Sequence, residues 1–171
     1  MDLYELPVSP DGAHLHKETV KWDFNNPPED SEAFAQRLLK TMRAFGGIGL
    51  AAPQVEQYYK VFVVHAEQPF AVFNPTITWF SDELVDLDEG CLSFPGLKVK
   101  VRRPKHIRVR FQSHTNETIV KRFTGMTARV FQHEYDHLEG TTFFERANFL
   151  HKDRAKKKWK QIVRQMKKQA K

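Results

Sequence analysis

His133-Glu134-Tyr135-Asp136-His137 sets two histidines four residues apart with a glutamate beside the first. On a helix that spacing puts both imidazoles on one face, one turn apart, within reach of a single cation. The glutamate is then placed to take a proton from water on that cation. The helical pattern runs outward from the pentad. Met126, Val130, His133 and His137 share a face after Gly125, and Gly140 suits the position just past a helix end. The histidines project with core residues, so a buried site is expected.

A hydrolytic site of this type keeps three protein ligands and leaves a fourth position for water. His133 and His137 supply two. In one peptidase class a third histidine lies six residues past the second; here that residue is Phe143, which cannot ligate. In another class a glutamate on a later helix is used, but no glutamate follows Glu145. Cys91, the only cysteine, stands in Glu89-Gly90-Cys91-Leu92-Ser93 and is the best third ligand. Its thiolate suits Zn²⁺ or Fe²⁺. Such a cation lowers the pKa of its water toward about 7. Glu134 can accept that proton and later deliver it to a leaving amine. The other histidines, His14, His16, His65, His106, His114 and His151, show no ligand spacing and are expected at the surface.

The third informative stretch is Gly46-Gly47-Ile48-Gly49-Leu50-Ala51-Ala52-Pro53-Gln54, which ends a helix and precedes a strand. Its small residues allow close approach of backbone or ligand. It lacks the Gly-Lys-Ser/Thr ending of a phosphate loop. Gln54 offers a neutral donor for a developing oxyanion.

Elsewhere the pattern is coarse but legible. Residues 1–30 are broken by Pro and Gly and read as irregular. Asp30 is a plausible cap for a helix carrying Phe34, Leu38, Leu39, Met42 and Phe45, which Gly46-Gly47 end. Short β-branched runs at 61–64, 71–73, 99–101, 107–111 and 118–120 read as strands. Little helical pattern lies between them, so an antiparallel or mixed sheet is expected.

The chain has 171 residues, 40% hydrophobic, with 14 Phe and 3 Trp, enough for a substantial core. No apolar run approaches the ~18 residues of a membrane span. The acidic start, Met1-Asp2-Leu3-Tyr4-Glu5, does not resemble a signal or transit peptide, so a cytoplasmic location is expected. One cysteine excludes an internal disulfide. Net charge is +6, yet His151–Lys171 holds ten Lys/Arg against Asp153 alone and carries +9, leaving −3 for the rest. That tail reads as a helix with a thin stripe of Ala155, Trp159, Ile162 and Met166.

Taken together and in this order, the three segments resemble those of the peptide deformylases. Family members carry GxGxAAxQ, EGCxS and QHExxHxxG; here these stand as Gly47–Gln54, Glu89–Ser93 and Gln132–Gly140, with every fixed position matched. The resemblance runs from about Pro27 to Phe144 and favours the bacterial-type members. It implies an α+β fold: a sheet-rich body around a central metal-bearing helix, with an N-terminal helix and a basic C-terminal helix. The expected organisation is one metal-hydrolase domain over 1–150, extended by the basic helix 151–171.

The resemblance also implies removal of the formyl group from the formyl-methionine of nascent polypeptides. Cys91, His133 and His137 would hold one divalent cation, Fe²⁺ in the cell, with Zn²⁺, Ni²⁺ or Co²⁺ as substitutes. Glu134 would be general base and acid, and Gln54 and the Leu92 N–H would stabilise the oxyanion. Ile48, Gly49 and Gly90 would hold the peptide through backbone groups. Ile48, Met126, the stem of Arg129 and Val130 would line the methionine pocket. The basic tail would dock on the ribosome, no membrane would be involved, and the chain would be a monomer. Glu56 departs from the family, standing where a glycine often follows the Gln-Val pair.

Two rivals share part of this pattern. A metallopeptidase would need a His or Glu third ligand, and an RNA-binding module with a structural metal would need a fourth protein ligand.

Overall fold

The computed structural model describes residues 2–8 and 11–169. The fold is α+β, as expected, and every strand pairing is antiparallel. Helix α1 spans Ser31–Ala44, α2 Gly125–Leu138 and α3 Phe149–Gln169. The strands are β1 (Gly49–Ala51), β2 (Val61–Val64), β3 (Phe70–Phe80), β4 (Leu84–Cys91), β5 (Phe94–Pro104), β6 (His106–Gln112) and β7 (Thr118–Thr124). One sheet has the order β1-β2-β3-β6-β7; β4 and β5 form a separate hairpin.

Helix α1 begins where the Asp30 carboxylate accepts the Ala33 N–H at 2.8 Å and ends as Gly46 turns left-handed at φ 69°. Its buried face, with Phe34, Leu38 and Met42, packs on Val61, Val63 and Phe73. Helix α2 packs on the opposite face, against Phe62, Val64, Val72, Ile107 and Val109. Side chains alternate along a strand, so β2 is buried throughout because each face meets a different helix.

A third cluster lies on the hairpin. Phe94, Leu97, Val99 and Val101 of β5 meet Leu15, Phe143 and the Ala155–Trp159 stripe of α3. Ile162 packs partly against this cluster, whereas Met166 is exposed, so the contact fades toward the end of the tail. The irregular N-terminal segment also enters the core: Trp22 lies 4.8 Å from Phe34, ring to ring.

Two strands were not legible. β1 lies inside the glycine-rich stretch expected only to precede a strand. β4 reads Leu-Val-Asp-Leu-Asp-Glu-Gly-Cys, poor in strand-forming residues. Its acids face bases across the hairpin, Asp86 opposite Arg102 and Asp88 opposite Lys100. Cross-strand charge pairing supplies what intrinsic preference lacks.

The turn at Glu56 forms despite the missing glycine. Glu56 closes the short 3-10 turn Ala52–Val55 with φ 58°, a region costly for a residue with a Cβ. Glu56→Gly is therefore expected to raise stability by about 0.5–1 kcal/mol, read as a higher urea midpoint with an unchanged slope.

Candidate metal centre

Helix α2 presents His133 and His137 side by side, ring centroids 5.2 Å apart, both buried as expected. Cys91 reaches them from the end of β4, where a register shift between Gly90 and Cys91 re-aims the strand. Its Sγ lies 3.4 Å from His137 Nε2. One ligand atom from each of Cys91, His133 and His137 lies within 4.8 Å of the others, and among the described residues no fourth His, Cys, Asp or Glu joins the group. One sulfur and two imidazole nitrogens, converging and buried, suit a borderline divalent cation, so the donor set fits the metal the sequence implies.

The cluster opens onto a cleft of about 550 Å³. Ile48, Gly49, Gly90, Met126, Arg129 and Val130 all line it, as do Gln54, Leu92, Cys91, His133 and Glu134; His137 sits beneath. Met126, in the first turn of α2, is exposed at the cleft instead of sharing the buried face of that helix. The Ile48 carbonyl already accepts the His65 N–H at 2.8 Å.

Glu134 is buried with no hydrogen-bond partner for Oε2. Burial pushes its pKa up to about 7, against the opposing pull of His133. Gly49 makes room for it. A Cβ there would meet Val130 Cγ1 at 2.8 Å and Glu134 Oε1 more closely still. Gln54 is held by its own turn: its Oε1 accepts the Ala51 N–H at 2.8 Å, and its Nε2 lies 3.1 Å from Ser93 Oγ and 3.4 Å from Cys91 Sγ.

A buried ionic layer supports the histidines. His133 Nδ1 donates to Glu89 Oε2 at 2.9 Å, which leaves Nε2 for the cluster. Glu89 also accepts from Arg103 at 2.6 and 3.0 Å and from Arg129 at 2.8 Å. Arg103 reaches Asp136 at 2.8 Å, and Asp136 holds Arg146 at 2.7 Å. Arg129 is anchored further by the Val101 carbonyl at 2.9 Å, which keeps its stem along the cleft. Burial alone would raise the Glu89 pKa. The His133 hydrogen bond and the Arg103 pair outweigh it and hold the carboxyl far below the usual range.

Residues 6–153 match the family model for polypeptide deformylase. The chain belongs to the peptide deformylase family. It is 38% identical over 142 residues to a peptide deformylase of Treponema pallidum (strain Nichols), covering 82% of this chain and 88% of that one. It is similar in structure to the crystal structure of peptide deformylase from Thermotoga maritima, with TM-score 0.81 and 36% identity over 86% of this chain and 99% of the other. A plant peptide deformylase gives TM-score 0.87 and 30% identity over 97% and 92%. The chain is thus an enzyme, a hydrolase of the deformylase class.

Within this deformylase framework the imidazoles differ. Burial, then the neighbouring His133 and Arg103, lowers the His137 pKa well below the usual value and keeps that ring neutral. Burial would do the same to His133, but hydrogen bonds to Cys91 and Glu89 raise it well above. A cation held at His133 would compete with protons for that ring. Zn²⁺ uptake measured against a chromophoric chelator is expected to tighten as pH rises from about 6 to 8 and to release protons. Uptake independent of pH would contradict that competition.

Sequence reasoning missed Glu89, Ser93, Arg103 and Asp136. A signal for Glu89 was present. It lies two residues before Cys91, inside the Glu89–Ser93 segment already singled out by that cysteine. His14 is corrected from surface to interior: it is buried beside Leu15, with Nε2 unpartnered. The motif-based reading had no spacing by which to place it.

Proposed function

We propose that the chain removes the N-formyl group from the formyl-methionine of nascent polypeptides. One observation carries this reading: an open cleft ends at Cys91, His133 and His137 beside a buried carboxyl, Glu134, with one oxygen free. Cys91, His133 and His137 would hold the cation, Fe²⁺ in the cell and Zn²⁺, Ni²⁺ or Co²⁺ as substitutes. When bound, it lowers the pKa of water toward about 7 and polarises the formyl oxygen.

The chain's own groups do the rest. Glu134 takes the proton of the attacking water at its free Oε2 and returns it to the leaving amine. The Gln54 amide, oriented through its Oε1, and the Leu92 N–H stabilise the oxyanion. β1 lies at the sheet edge, so an extended peptide can lie along Ile48 and Gly49 with Gly90 opposite. Ile48, Met126, the Arg129 stem and Val130 receive the methionine side chain. We further assign residues 1–150 to one hydrolase domain and 151–171 to its basic extension, acting as a monomer in the cytoplasm with the tail against the ribosome.

The test is turnover of formyl-Met-Ala-Ser by enzyme loaded anaerobically with Fe²⁺, monitored as formate. Formate release abolished by chelation and restored by Fe²⁺ or Ni²⁺ supports the reading. Cleavage of internal bonds in unformylated peptides, with no formate, would replace it with a peptidase.

A further inference from the structure

We propose that the open face of β3, β6 and β7 is a docking surface for RNA, independent of the deformylation reading. Helix α1 covers β1, β2 and the start of β3; among the described residues no helix packs closely on the far half of that sheet face. β6 turns Ile107, Val109 and Phe111 inward and presents Arg108 and Arg110 outward. Arg108 stands opposite Arg122 of β7 on one side and Trp79 of β3 on the other; Arg110 stands opposite Val120 and Thr76. All six of these side chains are exposed.

Among the described residues none of the three guanidiniums has an ion-pair partner. Elsewhere the strands match their charges, as at Asp86 opposite Arg102. Like charges directly opposite each other destabilise an antiparallel pair. Arg108 opposite Arg122 is such a pair, and Arg122 lies 5.6 Å from the Trp79 ring centre. A face that keeps three unmatched positive charges at a cost to its own sheet fits an anionic partner.

Residue chemistry narrows that partner. All three cations are arginine, whereas the tail is mostly lysine. Arginine binds phosphate bidentately and stacks on bases. Trp79, 42% exposed, adds an aromatic face at the same level. Arginines and an exposed aromatic on an open antiparallel sheet are the elements by which protein sheets hold single-stranded RNA.

The experiment uses the full chain and a fluorescein-labelled single-stranded RNA of about 20 nucleotides, with anisotropy read between about 50 and 200 mM salt. The triple variant Arg108→Gln, Arg110→Gln, Arg122→Gln is expected to weaken binding at least tenfold. It should also make the slope of log affinity against log salt shallower by about 2, from three lost phosphate contacts. Trp79→Ala is expected to weaken binding about fivefold or more. A parallel variant, Lys160→Gln, Lys167→Gln, Lys168→Gln, isolates the tail. RNA affinity lost only with the tail variant, and unchanged in the triple, overturns the proposal. So does a triple variant that keeps RNA affinity but loses binding to phosphatidylserine vesicles, since the face would then serve lipid. Thermal melting reports folding. If the triple variant fails to fold, Arg122→Gln alone removes the like-charge pair, should melt no lower than the parent, and should still weaken RNA binding about threefold with a slope change near 0.7. Unchanged affinity in that variant equally overturns the proposal.

Discussion

Glu134→Ala is expected to lower formyl-Met-Ala-Ser turnover by roughly 10²–10⁴-fold while leaving the metal content of the protein unchanged. The residue lies beside the Cys91, His133 and His137 group without belonging to it, and its Oε2 has no partner to orphan. Its loss removes the proton carrier without disturbing Cys91, His133 or His137. Glu134→Gln keeps the shape and should be as slow. Turnover within tenfold of the parent, or loss of metal, would remove Glu134 from the proposed role.

A second readout is stability against pH. In the metal-free protein the Glu134 pKa of about 7 stands above its ordinary 4.5. The folded state therefore holds a proton that the unfolded chain has released. Stability must fall as pH rises from 4.5 toward 7 on this account. Urea midpoints of Glu134→Ala should lack that fall. Burial is the dominant cause of the raised value, so a variant that opens the site to water should lose the effect as well.

How much was legible in the chain follows from the range of each signal. The pairing of the two histidines on α2 and the cap at Asp30 were readable because both depend on neighbours within one or two turns. The strands of the sheet were placed where β-branched residues cluster but cut short, as 71–73 within Phe70–Phe80, because the later residues lie on a half-exposed face. β4 escaped notice because its acids are satisfied by β5, a relation that pairing creates and composition conceals. Cys91, which lies with the two histidines, was singled out by eliminating other candidates. Its support was not, since Arg103 lies 33 residues from Asp136 and 14 from Glu89. Local rules locate the chemistry in such a protein, and long-range ion pairs determine how it is held.

The largest expected loss of stability comes from that ionic layer. Glu89→Ala is expected to cost about 3–5 kcal/mol, because it leaves the buried Arg103 and the guanidinium of Arg129 without their shared carboxylate. The same change frees His133 Nδ1, so metal affinity should drop roughly 10–100-fold even in protein that remains folded. Glu89→Gln separates the two effects: it preserves shape and an acceptor for His133, but not the charge. It should recover metal affinity more than stability. The pH dependence fixes the sign. The folded-state pKa of Glu89 is depressed, so its contribution is fully present above the unfolded value near 4.5 and is lost as pH falls below it. Acid unfolding of the parent should steepen in that range, and Glu89→Ala, already lacking the contribution, should show a shallower acid limb. Calorimetry across the acid range, with metal analysis at neutral pH, checks both parts. A variant that melts like the parent yet loses metal would mean that Glu89 orients His133 without holding the arginines in place. One that loses stability but keeps metal would mean that Arg103 and Arg129 are the side chains that depend on it, and that His133 holds its position through the packing of α2 alone.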